Sequence, residues 1–254
     1  MKKNKIDREV EEHFKERPFF RRDELFNFYK KYEEDLNIKT FGWHVFDLKK
    51  KNIIITVRRG IYKISNKKEF NPVVDTKLKK IVKYLEQVFH ELDYIVWTTQ
   101  WINNLSLHMM FRNFYIVEVP YDQTESTFGK LKEFWKTGVY YHPDKSTMYN
   151  YVIEDDDPII VKTLIQRSPI KRRNMIKTPP LEKILVDLYC DDKVFYMYQG
   201  SELKEIFRNG FAHYVINFTK LINYARRRGR EKEIQEYINK NFAYLVEGGV
   251  NDQG

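Results

Sequence analysis

At Asn52 the spacing of apolar residues changes from one period to another. Before it, Phe41, Val45 and Leu48 recur at i, i+4 and i+7, which is the buried stripe of a helix. After it, Ile53 to Val57 and Ile61 to Ile64 are short runs of strand-forming residues joined by Arg58-Arg59-Gly60. A helix that gives way to a tight hairpin within a few residues demands a local α-plus-β unit.

The residues upstream complete that unit. Ile6, Val10 and Phe14 fall at helical spacing, so residues 5 to 16 read as an amphipathic helix ended by Arg17-Pro18. Asp23 is placed to cap a second helix running to Tyr32, with Leu25, Phe26 and Tyr29 on its inner face. Thr40 is placed to cap the third. Within that helix Phe46 flanks the buried stripe, and Gly42, Trp43, His44 and Asp47 are left facing outward. Three helices followed by a two-stranded hairpin is the order of a winged helix-turn-helix, expected over residues 1–70, with residues 66–75 as a linker.

Charge is distributed to match. Residues 1–72 hold 19 basic and 12 acidic side chains, a surplus of seven out of the chain's total of nine. Inside that stretch, residues 39–68 contain nine basic groups against Asp47 alone, while residues 1–38 are balanced. The surplus therefore surrounds the third helix and the hairpin, and its sign asks for an anionic partner.

Beyond the linker a helix is expected over residues 76–92. Strand and helix signals then alternate: strands at 94–99, 114–119, 139–142 and 158–165, and helices around 101–107 and 125–135. Such alternation predicts an α/β layer. Thr178-Pro179-Pro180 reads as a cap with proline in the first turn of a helix to about Tyr189, and further helices follow at 200–211, 218–228 and 231–241. The fold expected is α+β overall: a winged helix-turn-helix, then a larger α/β domain over residues 74–244 with a C-terminal helical segment.

In helix-turn-helix proteins the second helix of the motif lies in the major groove, its N-terminal residues reach base edges, and flanking cations meet phosphates. On that reading Thr40, Trp43, His44 and Asp47 are the base-facing candidates. Lys39, Lys49, Lys50, Lys51 and Lys63 are the phosphate contacts, and Arg58, Arg59 and Gly60 form the wing tip. The partner expected is double-stranded DNA.

Signatures of catalysis are sparse. The ten glycines form neither a dinucleotide-binding nor a P-loop pattern, and there is no G-x-S-x-G elbow. The six histidines lack ligand spacing, so neither a metal nor another cofactor is expected, and the chain reads as a non-enzyme. Asp93, Glu118 and Lys162 fit a restriction-type nuclease loosely, but Glu118 is followed by Val-Pro-Tyr where the pattern needs x-Lys. A winged-helix-guided, metal-dependent nuclease is the rival reading. The acidic run Glu154 to Asp157 reads as a solvated loop, and the basic run Arg226 to Arg230 as cations capping a helix end, with a partner contact as its alternative. One cysteine excludes an intrachain disulfide, no apolar run is long enough to span a membrane, and the start lacks a secretory core, so the cytoplasm is the expected compartment.

The stretch TFGWHVFDLKKKNIIITVRRGIYKI resembles the helix and wing of the AbiEi family of antitoxin transcriptional regulators, whose wing carries an Arg-Gly-x-Tyr turn. YIVWTTQWINNLSLH, FYIVEVP and TPPLEKILVDLYCD with YQGSELKEIFRNGF are similar to the larger C-terminal domain of such proteins. The resemblance implies a type IV toxin-antitoxin regulator. Its winged domain would repress its own operon, and its second domain would oppose a nucleotidyltransferase-like toxin encoded beside it. A plain regulator without a toxin partner is the remaining alternative. Trp43-His44 departs from that family's small polar residues at base-facing sites.

Overall fold

A computed structural model of the chain describes residues 2–89, 91–109, 112–173 and 175–246. Its described residues divide into two compact units, one of residues 2–68 with 244–246 and one within residues 69–243. The boundary falls inside the expected linker, but most of that linker is docked. Phe70 is buried against Tyr214, its carbonyl accepts from the Arg173 guanidinium, and the Val73 carbonyl accepts from Trp101 Nε1 at 2.9 Å.

The first unit runs α1 (Lys2–Phe14), β1 (Phe20–Arg21), α2 (Arg22–Lys30), α3 (Ile38–Lys50), β2 (Ile54–Arg58) and β3 (Ile61–Ile64). The strands form one antiparallel sheet in the order β1-β3-β2, with Phe20 beside Tyr62 and Ile54 beside Ile64. Val10 and Phe14 from α1, Leu25 and Phe28 from α2, Phe41, Val45 and Leu48 from α3, and Ile54 and Tyr62 from the hairpin meet in one core. The stripe that the sequence shows in α3 is thus the surface burying it. Burial of such side chains, at roughly 1.5–3 kcal/mol each, holds a helix of this length in place.

Two helix starts differ from expectation. Glu24, not Asp23, serves the entry to α2: its carboxylate accepts the Arg21 backbone N–H at 2.7 Å. The cap of α3 is Asn37, whose side chain accepts the Thr40 backbone N–H at 2.8 Å, so Thr40 lies inside the first turn. Asn and Thr are both capping residues and stand three apart, the separation at which one caps the other's N–H.

The second unit contains α4 (Thr76–Val88), β4 (Ile95–Thr98), β5 (Tyr115–Val119), α5 (Thr124–Trp135), β6 (Val139–Tyr141), the single turn α6 (Lys145–Thr147) and β7 (Ile159–Thr163). Then come the hairpin β8 (Lys171–Arg173) and β9 (Ile176–Thr178), followed by α7 (Leu181–Cys190), α8 (Ser201–His213), α9 (Phe218–Arg227) and most of α10 (Glu231–Val246). The main sheet has the order β4-β5-β7-β6, with β4 antiparallel to β5 and the other neighbours parallel. The α/β character is as expected.

Three local readings are corrected here. The helix expected around Trp101 is one tight turn, Thr99–Ile102. Thr178 ends β9 and donates its hydroxyl to the Lys171 carbonyl, so α7 starts after Pro180 without a threonine cap. Strands β8 and β9 carry no alternating apolar pattern and were not expected. Among the described residues no helix is long and apolar enough to cross a membrane.

Candidate nucleic-acid interface

Helix α3 has its buried face at Phe41, Val45 and Leu48, and the remaining positions divide into two sets. One set stands in solvent. Lys39, Thr40, Lys50 and the wing residues Arg58, Arg59 and Lys63 are exposed, and Trp43 and Phe46 keep 67% and 56% of their surface. Among the described residues neither Arg58 nor Arg59 has an ion-pair partner. Gly60 closes the wing with φ +75°, a backbone angle that L side chains rarely adopt, and its carbonyl accepts the Arg22 N–H at 2.9 Å. A register shift between Thr56 and Arg58 brings Arg58 opposite Ile61 at the tip.

The other set is engaged within the unit, which corrects the expectation for His44, Asp47, Lys49 and Lys51. The His44 ring stacks on Tyr29, 4.7 Å between centroids and 15° between planes, and its Nε2 lies 3.1 Å from Glu33 Oε2. Both partners come from outside α3, where a helical reading of α3 alone cannot find them. Lys51 bridges Asp47, at 2.9 Å, and the buried Asp7 of α1. Contact with the Asp7 and Asp47 carboxylates, against the opposing effect of burial, raises the Lys51 pKa. Lys49 lies over the Tyr62 ring at 5.6 Å. Trp43 points outward, and Phe46, expected to flank the core, joins it edge to face at 5.9 Å.

The stripe presented outward is therefore Lys39, Trp43, Phe46 and Lys50, at i, i+4, i+7 and i+11. A cation stands at each end and an aromatic pair lies between. At 1.5 Å per residue the two lysine backbones are separated by roughly 16 Å along the axis, the scale of a major groove about 12 Å wide with phosphates on both walls.

The nuclease residues meet different fates in the second unit. Glu118 and Lys162 are side by side on β5 and β7, as adjacent acid and lysine positions require. Yet both Glu118 oxygens accept from Lys183 Nζ at 2.7 Å, and Oε1 also accepts from Trp97 Nε1 at 3.1 Å. Lys162 is paired with Asp191, and Asp93 pairs with Lys177 at 2.6 Å. No described group of three or more His, Cys, Asp or Glu side chains is arranged to hold a metal ion.

Lys183 has no exposed side-chain surface and also pairs with Asp187 at 2.5 Å, while Asp187 accepts from the Tyr224 hydroxyl at 2.8 Å and faces Arg228 at 3.6 Å. Burial alone would lower the Lys183 pKa, but Asp187, Glu118 and Tyr224 together raise it. The sequence signal is a Lys-Asp pair four apart inside a mostly apolar helix, LEKILVDLYC. The basic run beyond it is largely used within this unit: Arg226 grips Glu231, Arg230 pairs with Glu233, Arg227 donates to the Arg167 carbonyl and Gly229 turns the chain at φ +70°. In the acidic loop Arg112 pairs with Asp156 at 3.1 Å.

Residues 40–244 match the family of unknown function DUF6577. The chain belongs to that family. The DUF6577 match begins within the first turn of α3, after Lys39, and takes in the hairpin and the whole second unit. No curated protein matches the chain.

Proposed function

We propose that this DUF6577 member is a DNA-binding transcriptional regulator, with the winged unit on operator DNA. The observation that supports the reading is the separation of cations in the first unit. Lys51, bound by carboxylates, and Lys49, over a ring, stand at the flanks of α3, whereas Lys39, Lys50, Arg58, Arg59 and Lys63 are exposed on the outward stripe and the wing. Phosphate neutralisation by such groups supplies most of the affinity for a duplex and makes it fall with salt. Within this reading the protein is an antitoxin-like repressor of its own operon, and its second unit opposes a nucleotidyltransferase-like toxin in the cytoplasm. The sequence resemblance to AbiEi regulators supports that part.

A gel-shift titration tests the wing. Replacing both Arg58 and Arg59 with alanine removes two phosphate contacts and weakens binding to every duplex by roughly fifty-fold at 0.1 M salt. Unchanged affinity would remove the wing from the interface. For the antitoxin part, co-expression with the product of the neighbouring gene is the test: rescue of growth from a nucleotidyltransferase-like toxin supports it, and no toxicity to rescue contradicts it.

A further inference from the structure

The outward face of α3 has an unusual chemistry for a helix that reads base edges. Bidentate recognition uses Arg or Lys for guanine and Asn or Gln for adenine. The exposed stripe offers no Arg, Asn or Gln. Its lysines stand at the two ends, and His44 and Asp47 are held by Glu33 and Lys51. At the centre are the rings of Trp43 and Phe46, with Gly42 beside them and Ile38, 76% exposed, at the helix start.

Gly42 is informative. A glycine inside a helix costs about 1 kcal/mol relative to alanine. Here its φ lies outside the positive range, and a Cβ built on it meets nothing within 4 Å, so packing within the unit gives no reason for it. A bare backbone on an outward helix face, next to two exposed rings, is what close approach by another molecule requires.

We propose that α3 reads its duplex through thymine methyl groups, with Trp43 and Phe46 as the specificity-determining side chains and Gly42 as the clearance that admits them; the preferred target is A·T-rich. This rests on the DNA-binding reading and sharpens it. In the major groove the C5-methyl of thymine is the apolar feature of the base-pair edges, and apolar side chains recognise it by contact. The flanking Lys39 and Lys50 complement the phosphates on either wall. The wing gives independent support, because paired arginines at a tip are attracted most strongly to the narrow minor groove of A-tracts.

The test is an anisotropy titration of the full chain against labelled duplexes of one length at 0.1 M salt: an A·T-rich duplex, the same duplex with deoxyuridine for thymidine, a G·C-rich duplex, and that duplex with 5-methylcytosine. Removing one contacted methyl weakens binding about fourfold, from roughly 0.8 kcal/mol per methyl buried. The uracil duplex is therefore expected to bind at least tenfold more weakly if two methyls are touched, and 5-methylcytosine to recover part of the loss in the G·C duplex. Trp43→Ala with Phe46→Ala, and separately Gly42→Ala, should abolish the thymine-to-uracil ratio and leave salt-dependent binding in place. Gly42→Ala also guards against misfolding as the explanation, since it adds a methyl to open space. Equal affinity for thymine and uracil duplexes, with clear salt dependence, overturns the methyl reading and leaves DNA binding standing. Absence of salt-dependent binding to any duplex overturns both. Loss of a dimer on Trp43→Ala with Phe46→Ala, with the ratio unchanged, assigns the rings to self-association and overturns the proposal.

Discussion

Lys183 and Lys50 are both helical lysines in amphipathic segments, and the molecule treats them in opposite ways. Lys183 has no exposed surface and is surrounded by Glu118, Asp187 and Tyr224, each of which has a further partner of its own. Lys50 stands in solvent at the end of α3 with Lys39 and the wing arginines as its exposed companions. A buried ion pair yields little net stability, because desolvation of both charges offsets their attraction, but losing one partner strands the other. An exposed cation contributes little to the fold either way and is available to a ligand. Lys183 therefore maintains structure, whereas Lys50 and the wing arginines stand clear of the first unit's own contacts. That contrast can be broken by experiment.

The largest effect is expected at Lys183. Lys183→Ala leaves the buried Glu118 without a counter-ion and Asp187 with only the more distant Arg228, and should destabilise the second unit by about 3–5 kcal/mol, read in urea titrations from tryptophan fluorescence. Lys183→Met, which removes the same cation, should be comparably damaging. A loss below about 1 kcal/mol would mean that the network is open to water.

Lys50 and Lys51 sharpen the comparison because they are neighbours in sequence with different duties. Lys51→Ala removes the bridge between Asp7 and Asp47 and should cost roughly 1 kcal/mol of stability, with duplex affinity nearly unchanged. Lys50→Ala should lower duplex affinity several-fold, about tenfold at most, with a melting temperature within a degree or two of the parent. Exchange of those outcomes would invert the assignment of the two faces of α3.

Acid gives a smaller effect. Burial alone would raise the pKa of Asp191, but Lys162, the Val194 N–H and Arg228 outweigh it and hold the carboxyl below its ordinary value. A carboxylate with a lower pKa folded than unfolded adds stability above its unfolded pKa of about 4 and loses it as pH falls through the folded value. The second unit should therefore lose stability below about pH 4, and Asp191→Asn should flatten that limb while lowering stability at pH 7. Lys183 acts in the other direction. Its raised pKa stabilises at every pH below the ordinary lysine value, and that contribution fades only in strong alkali.

Much of this was legible in the sequence wherever the determining contacts are periodic and local. The stripe Phe41, Val45, Leu48, the hairpin from Ile54 to Ile64 and the turn at Gly60 follow from spacing and from backbone angles that few residues adopt. Errors arose where a distant partner decides. His44 follows Trp43 among the positions expected to face outward, but it lies about 100° around the helix from it, where Tyr29 and Glu33 of a neighbouring segment claim it. Lys51 continues a run of three lysines, but Asp7, 44 residues earlier, binds it. Thr40 yields the capping role to Asn37, a stronger capping residue one turn earlier. Glu118 is legible as a candidate acid, whereas the lysine that occupies it, Lys183, lies 65 residues away and carries no sequence signal of its own beyond Asp187 at i+4.

Whether the first unit's exposed cations meet a duplex, as proposed, is decided by the salt dependence of binding. If Lys39, Lys50, Arg58, Arg59 and Lys63 each neutralise one phosphate, the logarithm of the association constant should fall against the logarithm of salt concentration with a slope of about −4.5, five contacts at 0.9 each. Arg58→Ala with Arg59→Ala should bring it to about −2.7. A slope near zero, or one that the double variant leaves unchanged, would contradict the account.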